Sequence, residues 1–243
     1  MANIVSESFS TYAENIRFVL LFSIPFAIAF LIPMFAPLPT YLSAGAIFLR
    51  SASISMNMSA VSLAVIVISL FVSLLFISFA FVAISLIVKA KKTYKKTPSS
   101  VLKGIERYIS KVFVVLLVYA LALIIANFIG YYAGAEAAIT SIVGFFGFIF
   151  IFYVPSAIVV EDKRIGRAFK DNMRLMARAP QYFVIWLLLA VMVVSILDYL
   201  LVHITGTLAS EYLMLVINSI VVLPYFVIFQ AEAYMRKFPL LSH

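Results

Sequence analysis

Six runs of 18 or more residues without a charged side chain dominate the sequence. At ~1.5 Å per helical residue, each run is long enough to cross a hydrocarbon core about 30 Å thick. A membrane barrel would instead show shorter segments of alternating polarity, so the runs predict an all-α, polytopic membrane helical bundle. We place the six spans at about 18–35, 61–88, 112–129, 142–160, 182–202 and 212–231.

The positive charges predict the orientation of this bundle. Assigning alternate loops to opposite sides places 17 of the 18 Lys and Arg residues on one side and only Arg50 on the other. The positive-inside rule makes the first side cytoplasmic, with both termini there, in a multi-pass protein of the plasma membrane. The same rule explains the net charge of +8, so nucleic acid is not an expected partner. The absence of cysteine excludes thiol catalysis and Cys-type metal sites.

Three polar segments, each followed by a pair of spans, show amphipathic helical spacing and predict cytoplasmic helices lying along the membrane surface. The segment 4–16 predicts an apolar face and a polar face, made respectively by Val5, Phe9, Tyr12, Ala13 and Ile16 and by Glu7, Ser10, Thr11 and Glu14. The second segment, 98–111, begins at a proline. The third follows Glu161 and has a charged face formed by Arg167, Lys170, Asp171, Arg174 and Arg178. We expect Asp162 to cap its N-terminus.

The three segments share a frame that predicts an internal repeat. Arg17, Arg107 and Arg174 are each preceded, five positions earlier, by the large apolar residues Tyr12, Leu102 and Phe169. The plan is surface helix, span, span, in units of about 4–90, 98–160 and 164–235 within a single membrane domain. An odd number of units entering from the same side implies parallel repeats with pseudo-threefold symmetry about the membrane normal. The alternative is that the three segments match by chance, because any interfacial helix must have an apolar face toward the membrane and a charged face away from it.

The third unit combines an apolar-Pro-Ala turn and an acidic residue with an Ala-centred basic helix, and the last span ends in EAYMRK. The residues that carry this pattern are Pro155, Ala157, Glu161, Ala168, Asn172 and Arg174. The pattern resembles a class of six-span prokaryotic membrane proteins typified by the membrane domain attached to some glycerophosphodiester phosphodiesterases. The resemblance implies the six-helix architecture. It argues against the phosphodiesterase activity, whose catalytic domain would need additional soluble residues.

Two basic segments are candidates for binding anionic lipid headgroups of the inner leaflet or a partner protein. Residues 89–111 carry eight cations against one acid, and residues 161–178 carry six against three. Each basic residue near an anionic leaflet contributes roughly 1 kcal/mol of attraction. The candidate contacts are Lys91, Lys92, Lys95, Lys96, Lys103, Arg107, Arg167, Lys170, Arg174 and Arg178. The alternative is that these charges serve topology alone.

Polar groups within the spans are candidates for an intramembrane site. They are Asp198, Asn127, Asn218, Gln230 and Glu232. The alternatives are an interfacial Asp198 paired with His203, an ion pair between Glu232 and Arg236, and amides that join helices. Pro25, Pro155 and Pro224 break the backbone ladder at membrane depth. The apolar piece 40–49 is too short to cross, so we expect it to be interfacial or re-entrant.

These observations leave three functional hypotheses. The first is a non-enzymatic membrane protein with a basic cytoplasmic collar of surface helices, and the second is a small-solute or ion permease. The third, weaker hypothesis is a lipid-modifying enzyme, which would need Glu161, Asp162 and Asp171 clustered around a metal. The sequence predicts no cofactor and no catalytic residue, and its two histidines lack metal-binding spacing.

Overall fold

The structure of the protein is a computed structural model, and it describes residues 2–35, 40–43, 45–49, 59–92 and 98–237. This part of the chain forms α-helices, one π-helical turn and two short strands. The α-helices are α1 (Ala2–Glu14), α2 (Ile16–Phe35), α3 (Ala60–Lys92), α4 (Pro98–Tyr132), α5 (Glu136–Ile151), α6 (Val154–Glu161), α7 (Ile165–Arg178), α8 (Pro180–Thr205), α9 (Thr207–Ile217) and α10 (Leu223–Lys237). The π-helical turn is Asn218–Val222, and the strands are β1 (Thr40–Ser43) and β2 (Ala46–Leu49).

Six helical stretches of the described chain are long and apolar enough to cross a membrane, which confirms the predicted number of spans. They are Ile16–Met34, Ala60–Lys91, Gly104–Tyr132, Glu136–Glu161, Pro180–Thr205 and Ala209–Arg236. The fourth span consists of α5 and α6, and the sixth consists of α9, the π-helical turn and α10. The protein is therefore a multi-pass helical membrane protein.

The fourth and sixth spans lie at the centre of the bundle. Within an apolar 18-residue window of each of these spans, 50% and 56% of the residues are buried by protein, whereas none is buried in the corresponding window of the fifth span. The buried residues concentrate where the C-terminal ends of α3, α6 and α10 meet. We call this the basic end, because Lys91, Arg107, Lys163 and helix α7 lie there.

A short β-hairpin is added to the helical bundle in the connection between the first two spans. β1 and β2 pair antiparallel from Thr40 opposite Leu49 to Ser43 opposite Ala46. Gly45, in the turn, has a φ of 73° and lies against the sixth span, where the Asn218 side chain donates a hydrogen bond of 3.0 Å to its carbonyl. A Cβ atom at Gly45 would lie 2.9 Å from the Met214 carbonyl oxygen, so glycine is required. The apolar piece 40–49 thus turns back against the bundle.

The second predicted surface helix is not a separate element. Residues 98–111 are continuous with the third span in α4, a single helix of 35 residues. No proline or glycine interrupts the sequence between Gly104 and Gly130, so nothing in it ends the first helical segment. The prediction of three separate surface helices is therefore wrong at this point. α1 is separated from α2 by Asn15 alone, and α7 stands between two complete spans.

The predicted faces of α1 hold only in part, since Tyr12 is buried and Ser10 and Glu14 are exposed as predicted, but Thr11 and Phe9 are not placed as predicted. The structure buries Ile4, Ser8, Thr11 and Tyr12, which form one helical stripe, and leaves Phe9 64% exposed. Thr11 belongs to the predicted polar face and Phe9 to the predicted apolar face. The reason is that α1 packs against α10, whose Glu232 receives a hydrogen bond from Thr11. Phe9 faces outward, which is compatible with lipid as the surrounding solvent.

Candidate binding surfaces at the basic end

Helix α7 presents a row of cations on its outer side. Ala168, Asn172 and Leu175 are buried on its inner side, and the outer side exposes Arg167, Lys170, Arg174 and Arg178. We call these four residues the α7 cationic face. Spacings of three and four residues bring them onto adjoining turns. Among the described residues, Asp171 is the one carboxylate within ion-pair distance of this face, at 4.0 Å from Arg174.

Asn172 fixes α7 to a break in the fourth span. Pro155 has no N–H to donate to the preceding turn, and the span is interrupted between α5 and α6 at residues 152–153. The Tyr153 N–H, which would bond the Ile149 carbonyl in an unbroken helix, donates instead to Asn172 Oδ1 at 2.8 Å. Asn172 Nδ2 then donates to the carbonyls of Ile149 at 3.1 Å and Phe150 at 2.7 Å. The amide side chain therefore bridges the gap in the backbone ladder.

A polar cluster joins the start of α7 to α6 and α10. The Tyr234 hydroxyl donates a hydrogen bond of 2.6 Å to Glu161, and Lys163 forms ion pairs with both Glu161 and Asp171. Burial lowers the pKa of Lys163, but its hydrogen bonds to Asp171 and Glu161 and its electrostatic attraction to both carboxylates together outweigh this effect, so the pKa is raised overall. The Lys163 ammonium group is therefore the shared counter-charge of two carboxylates.

Asp162 does not cap α7, so that prediction is wrong. It stands at the C-terminus of α6 in a left-handed conformation, with a φ of 53°, while Arg164 occupies the N-cap position of α7. The reversal of the chain at Asp162 directs its carboxylate to α4, where it forms ion pairs with Arg107 and, at 3.5 Å, with Lys111. Asp162 therefore ties α4 to the α6–α7 connection.

This arrangement does not provide the carboxylate cluster that a metal-dependent enzyme would need. Glu161 and Asp171 share Lys163, and Asp162 is paired with cations of α4. Because each carboxylate is already neutralised by a Lys or Arg side chain, the three carboxylates form a poor ligand set for a divalent cation. Within the described residues, no group of three His, Cys, Asp or Glu side chains has metal-binding geometry.

A second polar feature is a pocket of 380 Å³ beside α1. Its lining side chains are Ser6, Glu7, Ser10, Thr11, Lys91 and Glu232, and we call it the α1 pocket. Thr11 Oγ1 donates to Glu232 at 2.9 Å and accepts from Lys91 at 3.1 Å. Lys91 also forms an ion pair of 3.1 Å with Glu14, and Arg236 lies 3.9 Å from Glu7. The pocket therefore lies between α1, α3 and α10, and these polar contacts join α1 to the other two helices.

The structure places the cations predicted to bind lipid in different environments. The α7 cationic face is exposed, whereas Lys91 lines the α1 pocket and Arg107 is paired with Asp162 while remaining largely exposed. Lys92 lies on α3 and Lys103 on α4. Lys95 and Lys96 lie outside the described residues.

The predicted intramembrane polar residues are not brought together. Asn127 donates to Glu136 at 3.0 Å across the α4–α5 connection, and Asn218 binds the hairpin at Gly45. Asp198 lies on α8. The His203 ring packs against the Tyr199 ring, with 4.5 Å between the ring centroids, and in the described chain no ion pair joins Asp198 to His203. The remaining two candidates, Gln230 and Glu232, are buried in α10 near the basic end.

Comparison with known proteins adds no assignment. No protein-family model matches the chain, and neither a curated protein nor a solved structure matches it.

Sequence reasoning overlooked the roles of Asn172, Lys163 and Tyr234. The available signals were a buried-face amide opposite a proline-containing span and a lysine between acidic residues. Neither signal identifies its partner, because the partners lie on other helices.

Proposed function

We propose that the protein is a non-enzymatic integral membrane protein whose α7 cationic face binds anionic lipid headgroups of the inner leaflet. Both termini and the basic end are then cytoplasmic, as the distribution of charges in the loops favours. The observation that carries the proposal is that α7 is anchored on one side by a fully buried Asn172 while four cations project from the other.

The charges of α7 and its surroundings favour lipid binding over a purely internal role. Lys163 and Arg107 are engaged with carboxylates, so internal pairing accounts for them. Arg167, Lys170 and Arg178 have no carboxylate within 4.0 Å in the part of the chain that the structure describes. A row of cations held at the end of membrane spans attracts phosphate groups through charge-assisted hydrogen bonds, for which the arginine guanidinium is well suited.

A threefold parallel repeat and the resemblance to the six-span class remain part of this proposal. The succession of α7 and α8 after the fourth span supports the third unit of the repeat. A permease is less well supported, because its candidate polar residues are distributed between the α4–α5 connection, the hairpin, α8 and the basic end.

The test is lipid selectivity in reconstituted membranes. Spin-labelled phosphatidylglycerol and phosphatidylcholine report the fraction of each lipid immobilised at the protein surface. We expect the wild type to prefer phosphatidylglycerol and a variant with Arg167→Gln, Lys170→Gln, Arg174→Gln and Arg178→Gln to lose most of that preference. The expected effect is about 1 kcal/mol, or roughly fivefold, for each cation removed, and it should weaken as salt is added.

The matched control retains charge and removes the guanidinium shape, through Arg167→Lys, Arg174→Lys and Arg178→Lys in one chain. This variant should keep the preference for phosphatidylglycerol. An equal preference in the wild type and the glutamine variant would refute the proposed surface. A wild type without any preference would refute lipid binding and leave an acidic protein as the partner to seek.

A further inference from the structure

Each described residue that lines the α1 pocket has a polar or charged side chain, although the pocket lies beside membrane spans. Its volume of 380 Å³ falls at the lower end of the range for small-molecule sites, ~300–1,000 Å³. At about 30 Å³ for each water molecule, this is space for a molecule of roughly a dozen heavy atoms. A single metal ion would fill only a small part of it.

Among the described residues, the lining groups carry two carboxylates against one cation, in a protein of net charge +8, and Arg236 lies 3.9 Å from one of these carboxylates, that of Glu7. Glu7 and Glu232 are its two carboxylates, and Lys91 is the one cation that lines it in the described chain. Lys91 already lies 3.1 Å from both Glu14 and Thr11. Glu232 is only 2% exposed, so its carboxylate is held in a poorly solvated position, where an added positive charge is attracted most strongly.

The hydroxyl groups complete the set of hydrogen-bonding partners. Thr11 donates to Glu232 Oε1 and thereby orients the carboxylate. Ser6, Ser10 and Glu7 place further oxygen acceptors along the wall of the pocket. A primary ammonium group has three N–H donors and no acceptor, so it matches a carboxylate accompanied by hydroxyl and carboxylate oxygens.

We propose that the α1 pocket binds a primary ammonium group, carried by a small soluble amine or by the headgroup of an amine-bearing phospholipid. Glu232 is the main counter-charge, Glu7 and Ser10 accept further hydrogen bonds, and Thr11 orients Glu232. A phosphate on the same ligand would be attracted by Lys91. The site differs in charge and position from the α7 cationic face and does not depend on the function proposed for that face.

The first experiment measures binding of a soluble amine. Protein in phosphatidylcholine nanodiscs is titrated with ethanolamine and, as the matched ligand, choline, whose quaternary nitrogen has no N–H. We expect ethanolamine to bind at least tenfold more tightly than choline. Glu232→Gln should weaken ethanolamine binding at least tenfold, whereas Glu211→Gln, on α9 and outside the pocket, should leave it unchanged.

The second experiment distinguishes the source of the amine. Nanodiscs containing phosphatidylethanolamine are compared with phosphatidylcholine nanodiscs for thermal stabilisation of the protein and for competition with free ethanolamine. Stabilisation that is lost in Glu232→Gln, together with competition, identifies the lipid headgroup as a ligand. Binding of free ethanolamine without an effect of the lipid identifies a soluble amine.

Two variants keep the test decisive if Glu232→Gln does not fold. Glu7→Gln should weaken amine binding severalfold, and Ser10→Phe, at an exposed position, should block the pocket without filling the protein core. The proposal is overturned if ethanolamine and phosphatidylethanolamine behave like their choline counterparts in the folded wild type. It is also overturned if the folded pocket variants bind the amine as the wild type does.

Discussion

Helices α1 and α7 occupy comparable places at the basic end, yet they use their polar residues in opposite ways. α7 buries one amide, Asn172, and exposes a row of cations. α1 buries the hydroxyl groups of Ser8 and Thr11 and places its acidic residues beside Lys91 and Arg236. Phe9, a large apolar residue, is on its exposed side.

The difference shows that an amphipathic pattern does not by itself determine which face of a helix is buried at the end of a membrane bundle. Lipid accepts apolar side chains on the outer surface, so burial of the apolar face is not enforced as it is in water. Specific polar partners then decide the rotation of the helix. The partner is Glu232 for α1, and for α7 it is the interrupted backbone of the fourth span.

The largest expected contrast comes from removing Asn172 of α7 and Asn15, which directly follows α1; each stands two positions before an arginine of the predicted repeat, Arg174 and Arg17 respectively. Asn172→Leu leaves one N–H and two carbonyls without their side-chain partner, at about 1–3 kcal/mol for each buried group, so we expect the free energy of unfolding to fall by at least about 3 kcal/mol. Asn15→Leu removes one half-buried hydrogen bond to the Thr11 carbonyl and should cost about 0.5–1.5 kcal/mol. Reversible unfolding in mixed detergent micelles measures both, and equal losses would contradict the contrast.

An intermediate contrast concerns the ion pairs that hold each helix to the bundle. Lys163→Met leaves Glu161 and Asp171 without their shared cation and should cost about 1–2 kcal/mol, because these groups are largely shielded from water. Arg236→Met removes a longer, more exposed contact of 3.9 Å to Glu7 and should cost at most about 1 kcal/mol.

The contribution of Lys163 should also depend on pH. Burial lowers its pKa, but hydrogen bonds and electrostatic attraction to Asp171 and Glu161 together outweigh burial, so the pKa is raised in the folded protein. The stabilisation is therefore complete below its ordinary pKa of 10.5 and is lost as the pH rises through the higher folded value. The difference in unfolding free energy between wild type and Lys163→Met should narrow as the pH rises above about 10.5. A difference that widens over this range would contradict the assignment.

The smallest expected effects belong to the exposed polar residues of the two helices. Lys170→Gln on α7 and Ser10→Ala on α1 should each change the unfolding free energy by no more than about 0.5 kcal/mol, since neither side chain is buried. Thermal unfolding of the purified variants checks this. A loss above about 1 kcal/mol for Lys170→Gln would mean that the α7 cationic face contributes to folding and not only to binding.

The six spans could be predicted because their signal is additive along one stretch of chain. Each uncharged run carries its own hydropathy, and no distant residue is needed to recognise it. Pro155 likewise marks a weak point in the fourth span from local chemistry alone. The basic loops and the apolar run 40–49 are recognisable for the same reason, although the antiparallel pairing of β1 with β2 is not.

The sites depend on contacts between distant parts of the chain, which local patterns do not contain. Asp162 is a residue type that commonly caps helices, but its carboxylate pairs with Arg107, which lies 55 positions away in the sequence. Thr11 has the position of a solvent-facing residue but is buried against Glu232. The boundary between 98–111 and the third span was predicted from a change in polarity, yet a helix ends where its backbone is broken, and nothing breaks α4 there.

The hydrogen bond between Thr11 and Glu232 joins residues that are 221 positions apart. Helix α1 is synthesised before α10, and the surface that it covers on α10 does not exist until the sixth span has been made and inserted. Contacts of such long sequence separation form late, because the intervening chain must be ordered first. During biogenesis α1 therefore has to wait at the membrane without its final neighbour. Because α1 can dock against α10 only after every intervening span is in place, loss of the last span should leave α1 accessible to proteases or chaperones.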